Sequence, residues 1–274
     1  MKTLHFAAVF VILLTLSGII TCYADINMNL GSQCSVDDKS TAENEFQINR
    51  RNLLDSLAAN GPFQNGFYKT QTGEKSVKVY GLVQCRGDIS ANDCGNCINN
   101  MTKEALNSCP KSKSVWIWFR WCFLRYSNAS FFGSMELSSG AWSNETNFDD
   151  PSMGSKGLDF MGRLASNASK QPLKFQTSVL DVGRGKRYGM AQCTRDINQD
   201  ECHKCLNNQL VTFKEIIGNK RGWETHGSNC FMWYNYHHFY FNISTPASEG
   251  GRPSSHKGAA IAPVAAVLAL LMVL

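Results

Sequence analysis

Charge is scarce in this chain and nearly balanced in sign: 27 Lys and Arg stand against 22 Asp and Glu, and charged residues make up 18% of 274 positions. A dispersed net charge of +5 is no footprint for a phosphate backbone, so nucleic acid is not expected as a partner. No glycine-rich loop leads from a strand into a helix, and the short basic cluster Arg184-Gly185-Lys186-Arg187 reads as a solvated turn; nucleotide binding is not expected. Histidine is sparse as well. His226, His237 and His238 gather late in the chain without a nucleophile elbow, and positions 25–135 hold none, so hydrolytic catalysis has no complete set of groups and no enzyme activity is expected. Long apolar runs are also missing. The tail Ala259–Leu274 has 16 residues, short of the ~20 that comfortably span a bilayer.

The two ends carry processing signals. Lys2, the apolar run Leu4–Ile20 and the small or polar residues up to Ala24 form the layout of a secretory leader, residues 1–24, cut after Ala24. At the other end, the small residues Ser248, Gly250 and Gly251 precede a polar spacer and then the apolar tail 259–274. Small site, spacer and tail are the elements of a glycolipid (GPI) anchor signal, with attachment expected at one of those three residues. A single C-terminal span is the alternative. The expected membrane contact is therefore through the C-terminus. Asn-x-Ser/Thr sequons at Asn100, Asn128, Asn144, Asn167 and Asn242 add extracellular glycosylation to the expectation.

Eleven cysteines would leave an odd thiol, but Cys22 departs with the leader. The remaining ten are Cys34, Cys85, Cys94, Cys97, Cys109, Cys122, Cys193, Cys202, Cys205 and Cys230. An even set in an oxidising compartment reads as a disulfide framework. The pairs Cys94-x-x-Cys97 and Cys202-x-x-Cys205 have zinc-like spacing, but bridge formation competes for the same thiols. No metal and no cofactor are expected.

An internal repeat organises what lies between. Cys85, Cys94 and Cys97 are spaced C-x8-C-x2-C, and Cys193, Cys202 and Cys205 repeat that spacing 108 residues later; Cys122 and Cys230 are also 108 apart. The lead-ins agree, Tyr80-Gly81-Leu82-Val83-Gln84 and Tyr188-Gly189-Met190-Ala191-Gln192. Two copies of one domain follow. The expected boundaries are 25–135 for the first, 136–150 for a linker, 151–245 for the second, and 246–258 for the spacer.

In the first copy, Phe46, Leu53, Leu54 and Leu57 share one side of a helix from about Glu43 to Ala59. Strands are expected over 67–71 and 77–84, and a second helix starts from a capping box at Ser90 and Asp93. Val115 to Tyr126, rich in aromatic and β-branched residues, reads as one long strand. The second copy repeats this with Leu158–Ala165, Gly189–Gln192, Cys202–Phe213 and Cys230–Phe241. The fold class is α+β: an antiparallel sheet with its helices on one face. Both faces of the long strand are apolar, so the face without helices needs a cover; the sister repeat is expected to supply it, in one rigid unit.

The cysteine spacing, the Tyr-Gly-x-x-Gln-Cys lead-in and Cys122-Phe-Leu-Arg-Tyr-Ser127 together resemble the ginkbilobin-homologous (salt-stress/antifungal) domain of plants. With a leader, two such domains and no kinase, the chain resembles the plant cysteine-rich secretory repeat proteins and their relatives at plasmodesmata. The resemblance implies two helices on a five-stranded sheet in each copy, and bridges Cys34–Cys109, Cys85–Cys94 and Cys97–Cys122. The second copy has Ile217 where the first has Cys109 and no early cysteine, so two bridges are implied there, Cys193–Cys202 and Cys205–Cys230.

The family's founding seed lectin holds mannose through an Asn, an Arg and a Glu. Their positions carry Ser35, Trp116 and Ser127 in the first copy, and the last two carry Glu224 and Asn235 in the second. Mannose recognition by that site is therefore not expected, although Trp116 could stack on another sugar or pack as core. The resemblance and the C-terminal anchor signal together lead to the expectation of a membrane-anchored module on the apoplast side of the plasma membrane. It would engage a cell-wall glycan or a receptor-like kinase ectodomain in stress, defence or symbiotic signalling. A secreted antifungal effector and a single-span plasmodesmal protein are the alternatives.

Overall fold

The computed structural model describes residues 27–35, 44–143, 145–183 and 185–241. The first repeat runs β1 (Asn29–Cys34), α1 (Asn44–Asn60), β2 (Phe67–Thr72), β3 (Val79–Cys85), α2 (Ala91–Ser108), β4 (Ser114–Phe119) and β5 (Cys122–Ser127). Its five strands lie in the order β1-β4-β5-β3-β2, every neighbour antiparallel. The second repeat runs β6 (Ser139–Trp142), α3 (Pro151–Lys170), β7 (Phe175–Asp181), β8 (Lys186–Cys193), α4 (Gln199–Thr212), β9 (Trp223–Gly227) and β10 (Cys230–Asn235), in the matching order β6-β9-β10-β8-β7. Each sheet has its two long helices on one face, the α+β plan expected from the sequence. No helix among the described residues is long and apolar enough to cross a membrane.

Local chemistry explains the helices. The Ser90 hydroxyl accepts a bond from the Asp93 amide at 3.1 Å, capping α2, and Cys94, Cys97, Ile98, Met101 and Ala105 turn its buried stripe to the sheet. At the start of α4 the cap is reciprocal: the Glu201 amide donates to the Asn198 side chain at 2.9 Å and the Asn198 amide to the Glu201 carboxylate at 3.0 Å. The repeated glycine of the lead-in lets helix and sheet approach. A Cβ at Gly81 would stand 2.7 Å from Leu53 of α1, and one at Gly189 would stand 2.6 Å from Phe160 of α3.

The stretch expected as one long strand is a hairpin. β4 and β5 turn at Arg120 and Trp121 and pair Val115 with Tyr126 and Ile117 with Leu124. Directly opposed residues of an antiparallel pair share a face, so Val115, Ile117, Cys122, Leu124 and Tyr126 all enter the first core. Trp116, Trp118, Phe123 and Arg125 point to the other face. The turn shifts the alternation by one, which made both faces look apolar on a continuous strand. Cys230–Phe241 is corrected likewise: β10 ends at Asn235 and pairs with β9 across Ser228 and Asn229. The stretch 136–150 is more than a linker, because β6 lies inside it and forms the edge of the second sheet.

Among the described residues, five disulfides staple the helices to the sheets. The first repeat has Cys34–Cys109, Cys85–Cys94 and Cys97–Cys122; the second has Cys193–Cys202 and Cys205–Cys230. At Cys109's position in the second repeat, Ile217 is fully buried in the core, so apolar packing stands where the first repeat has a bridge. Each bridge contributes about 2 to 4 kcal/mol in a domain of this kind.

Candidate functional site

The residues at the lectin positions lie together at one end of the first sheet, on the face without helices. Ser35 continues β1: its amide donates to the Ser114 carbonyl at 2.8 Å, and its hydroxyl accepts from the amides of Lys113 and Ser114 at 3.0 and 3.2 Å. Ser114 in turn faces Ser127 across the β4–β5 pair. Ser127 is buried, and its hydroxyl accepts from the Ala129 amide at 3.1 Å. Trp116 lies in the next row, paired with Gln33 and Arg125. Its ring lies 5.2 Å from the Arg125 guanidinium, which lies 4.0 Å from the Phe131 ring and forms an ion pair with Glu136. Residues 131–136 thus lie over this end of the face, and the two serine hydroxyls are spent on backbone amides.

In the second repeat, Glu224 occupies Trp116's position and is buried. It accepts from Arg120 of the first repeat at 3.4 Å and faces the His226 ring nitrogen at 3.1 Å. Asn235 caps the turn after β10 by accepting from the His237 amide at 3.0 Å. Of the sequons, Asn100 on α2, Asn128 after β5 and Asn167 on α3 are exposed. Asn144, Asn242 and the anchor positions Ser248, Gly250 and Gly251 lie outside the described residues. Cys94 and Cys97, spaced like a metal pair, enter separate bridges, as do Cys202 and Cys205. Among the described residues, no group of three or more His, Cys, Asp or Glu side chains comes together as a metal site.

The most built feature is the seam between the repeats. Gln84 ends the first lead-in; its side-chain amide donates to the Cys193 carbonyl at 2.8 Å and its carbonyl accepts from the Arg195 amide at 2.9 Å. Gln192, 108 residues on, returns the pattern: it donates to the Cys85 carbonyl at 3.0 Å and accepts from the Gly87 amide at 3.2 Å. A second reciprocal pair flanks the first. The Phe241 amide donates to the Asp88 carboxylate at 2.7 Å, and the Gly133 amide to that of Asp196 at 3.1 Å. Every partner is displaced by the repeat period, so the two copies meet about an approximate two-fold axis.

Aromatic packing fills the seam. The Trp118 indole donates to the Gly227 carbonyl at 3.2 Å with its ring edge toward His226, and Arg120 stands over Trp233 at 4.3 Å. Arg195 lies 5.0 Å from the Phe67 ring; burial lowers its pKa to about 10, so it stays charged at neutral pH. The sister repeat therefore covers part of each helix-free face, as expected. The remainder is covered by each repeat's own trailing segment: Phe131 over Arg125 in one, Phe239 stacked on Trp233 at 3.7 Å in the other. Burial raises the trailing Tyr240 phenol to about 12, helped by the nearby Tyr188 and Asp88.

The repeated lead-in marks duplication in the sequence, and its glutamine's partners across the seam lie 109 and 111 residues away, beyond what local pattern shows. The signal was present, since a polar residue ending an apolar strand in both copies needs a buried partner.

The chain matches the family model described as salt stress response/antifungal at residues 33–129 and again at 143–237. It is 32% identical over 209 residues to an antimicrobial ginkbilobin-2-like protein of Castanea crenata, covering 75% of this chain and 86% of that protein. It is 30% identical over 219 residues to cysteine-rich repeat secretory protein 38 of Arabidopsis thaliana, covering 78% and 86% respectively. Among solved structures, the tandem DUF26 ectodomain of the Arabidopsis thaliana cysteine-rich receptor-like protein PDLP8 has the same fold, with a TM-score of 0.67 at 24% identity over 76% of this chain and 98% of that one. With two repeats of one bridged plan joined through a shared seam, this chain belongs to the salt stress response/antifungal family, which it matches twice.

Proposed function

We propose that the protein is an extracellular recognition module, held on the outer side of the plasma membrane by its C-terminus, that binds a cell-wall glycan or a receptor ectodomain without transforming it. The observation that carries this reading is the reciprocal seam. Five bridges stiffen the repeats one by one, two buried glutamines join their sheets, and a surface held still loses little entropy on binding. Relatives named as secretory proteins support the extracellular setting. The test is capture from native membranes with the glycans intact, alongside treatment of intact cells with a phosphatidylinositol-specific phospholipase. The reading expects release of the protein by the phospholipase and recovery of a wall polysaccharide or a membrane receptor in the capture. Retention on the cells would replace the glycolipid anchor with a single span. Recovery in the cytosol without sugar would overturn the reading.

A relative named antimicrobial supports a second reading, a direct effector on microbial walls. Growth inhibition by the purified protein alone at micromolar concentration would favour it; a requirement for a second plant protein would favour the module.

A further inference from the structure

Where the two sheets part beside the seam, the edge strands β1 and β6 line a groove of about 380 Å³. We propose that this groove holds a pyranose ring of a neutral glycan, an assignment that rests on the recognition reading above and gives it a site and a ligand class. It is distinct from the lectin positions, since none of Ser35, Trp116 or Ser127 lines it.

The groove straddles the approximate two-fold axis, and its walls are equivalent residues of the two copies. Gly31 and Gln33 of β1 correspond to Gly140 and Trp142 of β6, and beneath them Trp118 corresponds to His226. A Cβ at either glycine would meet nothing within 4 Å, so both edges are cut back above the two rings. Beyond them the symmetry is broken in a useful way. One wall carries the exposed Gln33 amide; the other carries Trp142, 55% exposed although it is among the largest apolar side chains in the chain.

Three features select the ligand. A flat, exposed indole offers a negative π face to the C–H face of a sugar ring. Beside it, the exposed Gln33 amide, on the equivalent sheet face, is a neutral donor and acceptor matched to ring hydroxyls. No Lys, Arg, Asp or Glu lines the groove among the described residues, and its one histidine, His226, already faces the Glu224 carboxylate at 3.1 Å, so the lining does not favour an acidic sugar or a charged peptide. An added peptide strand is also disfavoured, because β6 has only four residues and the β1 ladder is irregular between Asn29 and Gly31.

The test is titration of the purified full-length glycoprotein with neutral and acidic wall oligosaccharides, read by calorimetry and tryptophan fluorescence, for wild type, Gly140→Leu and Trp142→Ala. Gly140 is exposed, has no positive φ and has open space above it, so a leucine there fills the groove without disturbing the fold. The expected result is that a neutral oligosaccharide binds wild type and changes its fluorescence. Both variants keep the wild-type unfolding temperature and lose about tenfold or more in affinity. Neutral-glycan binding unchanged in both variants would overturn the site and leave the recognition reading standing. Binding only of acidic oligosaccharides, or only of a partner protein, would overturn the ligand class and leave that reading standing. No binding to any glycan or to any membrane receptor would overturn both.

Discussion

Replacing Gln84 by leucine keeps the side chain's bulk and removes both of its hydrogen bonds across the seam. The Cys193 carbonyl and the Arg195 amide then lose their partner at a site where Gln84 itself is only 3% exposed. Leaving such groups unmade costs about 1 to 3 kcal/mol, so denaturant unfolding of Gln84→Leu should show a loss in that range, with no new reactive thiol. A loss below about 0.5 kcal/mol, the scatter of ordinary surface substitutions, would mean that the seam does not depend on this residue. At this scale the sequence was legible where a residue's chemistry is local. Cysteine spacing and the Ser90–Asp93 cap are fixed by neighbours a few positions away. Glu224 was legible only as a departure from the lectin pattern, because its partner Arg120 is 104 residues distant and on the other repeat.

Among the elements, periodicity located α1 and α2 because each buries one stripe against one sheet. It misjudged the β4–β5 hairpin because the turn at Arg120 and Trp121 carries no glycine, proline or asparagine to mark it. The equivalent turn in the second repeat, Gly227-Ser228-Asn229, is marked, and aligning the two copies at that point would have exposed the hairpin. β1 and β6 are not legible as strands because Asn29–Cys34 and Ser139–Trp142, rich in glycine and serine, hold too few apolar residues to show an alternation in sequence.

The trailing segment after β10 gives a pH prediction of its own. Tyr240 donates its phenol to the Ser178 carbonyl at 3.2 Å, and its folded pKa of about 12 lies above the ordinary 10. A raised pKa means that the neutral phenol is favoured in the folded state, so its stabilising contribution is complete below pH 10. That contribution is lost as pH rises from about 10 through about 12. Ultraviolet titration should show this tyrosine ionising late, and the near-ultraviolet circular dichroism of the Tyr188, Phe239 and Tyr240 cluster should change over the same interval. Ionisation near 10 with an unchanged aromatic dichroism would contradict the packing of this segment.

For the molecule as a whole, two copies in sequence do not by themselves imply one body; the shared seam does. Each repeat produced alone would expose Trp118, Phe123 and Gln84, or Gln192, Phe231 and Trp233, to water. Such a repeat should self-associate or precipitate, as sedimentation would show, whereas a soluble monomer would argue that the copies are independent.

The seam also has an evolutionary consequence. Each glutamine grips only main-chain atoms of the other copy, and main chain is the same whatever side chains it bears. Either half can therefore change its outward chemistry without loosening its hold on its sister. A duplicated pair joined in this manner can diverge into two unlike walls, a tryptophan on one and an amide on the other, while remaining a single rigid instrument.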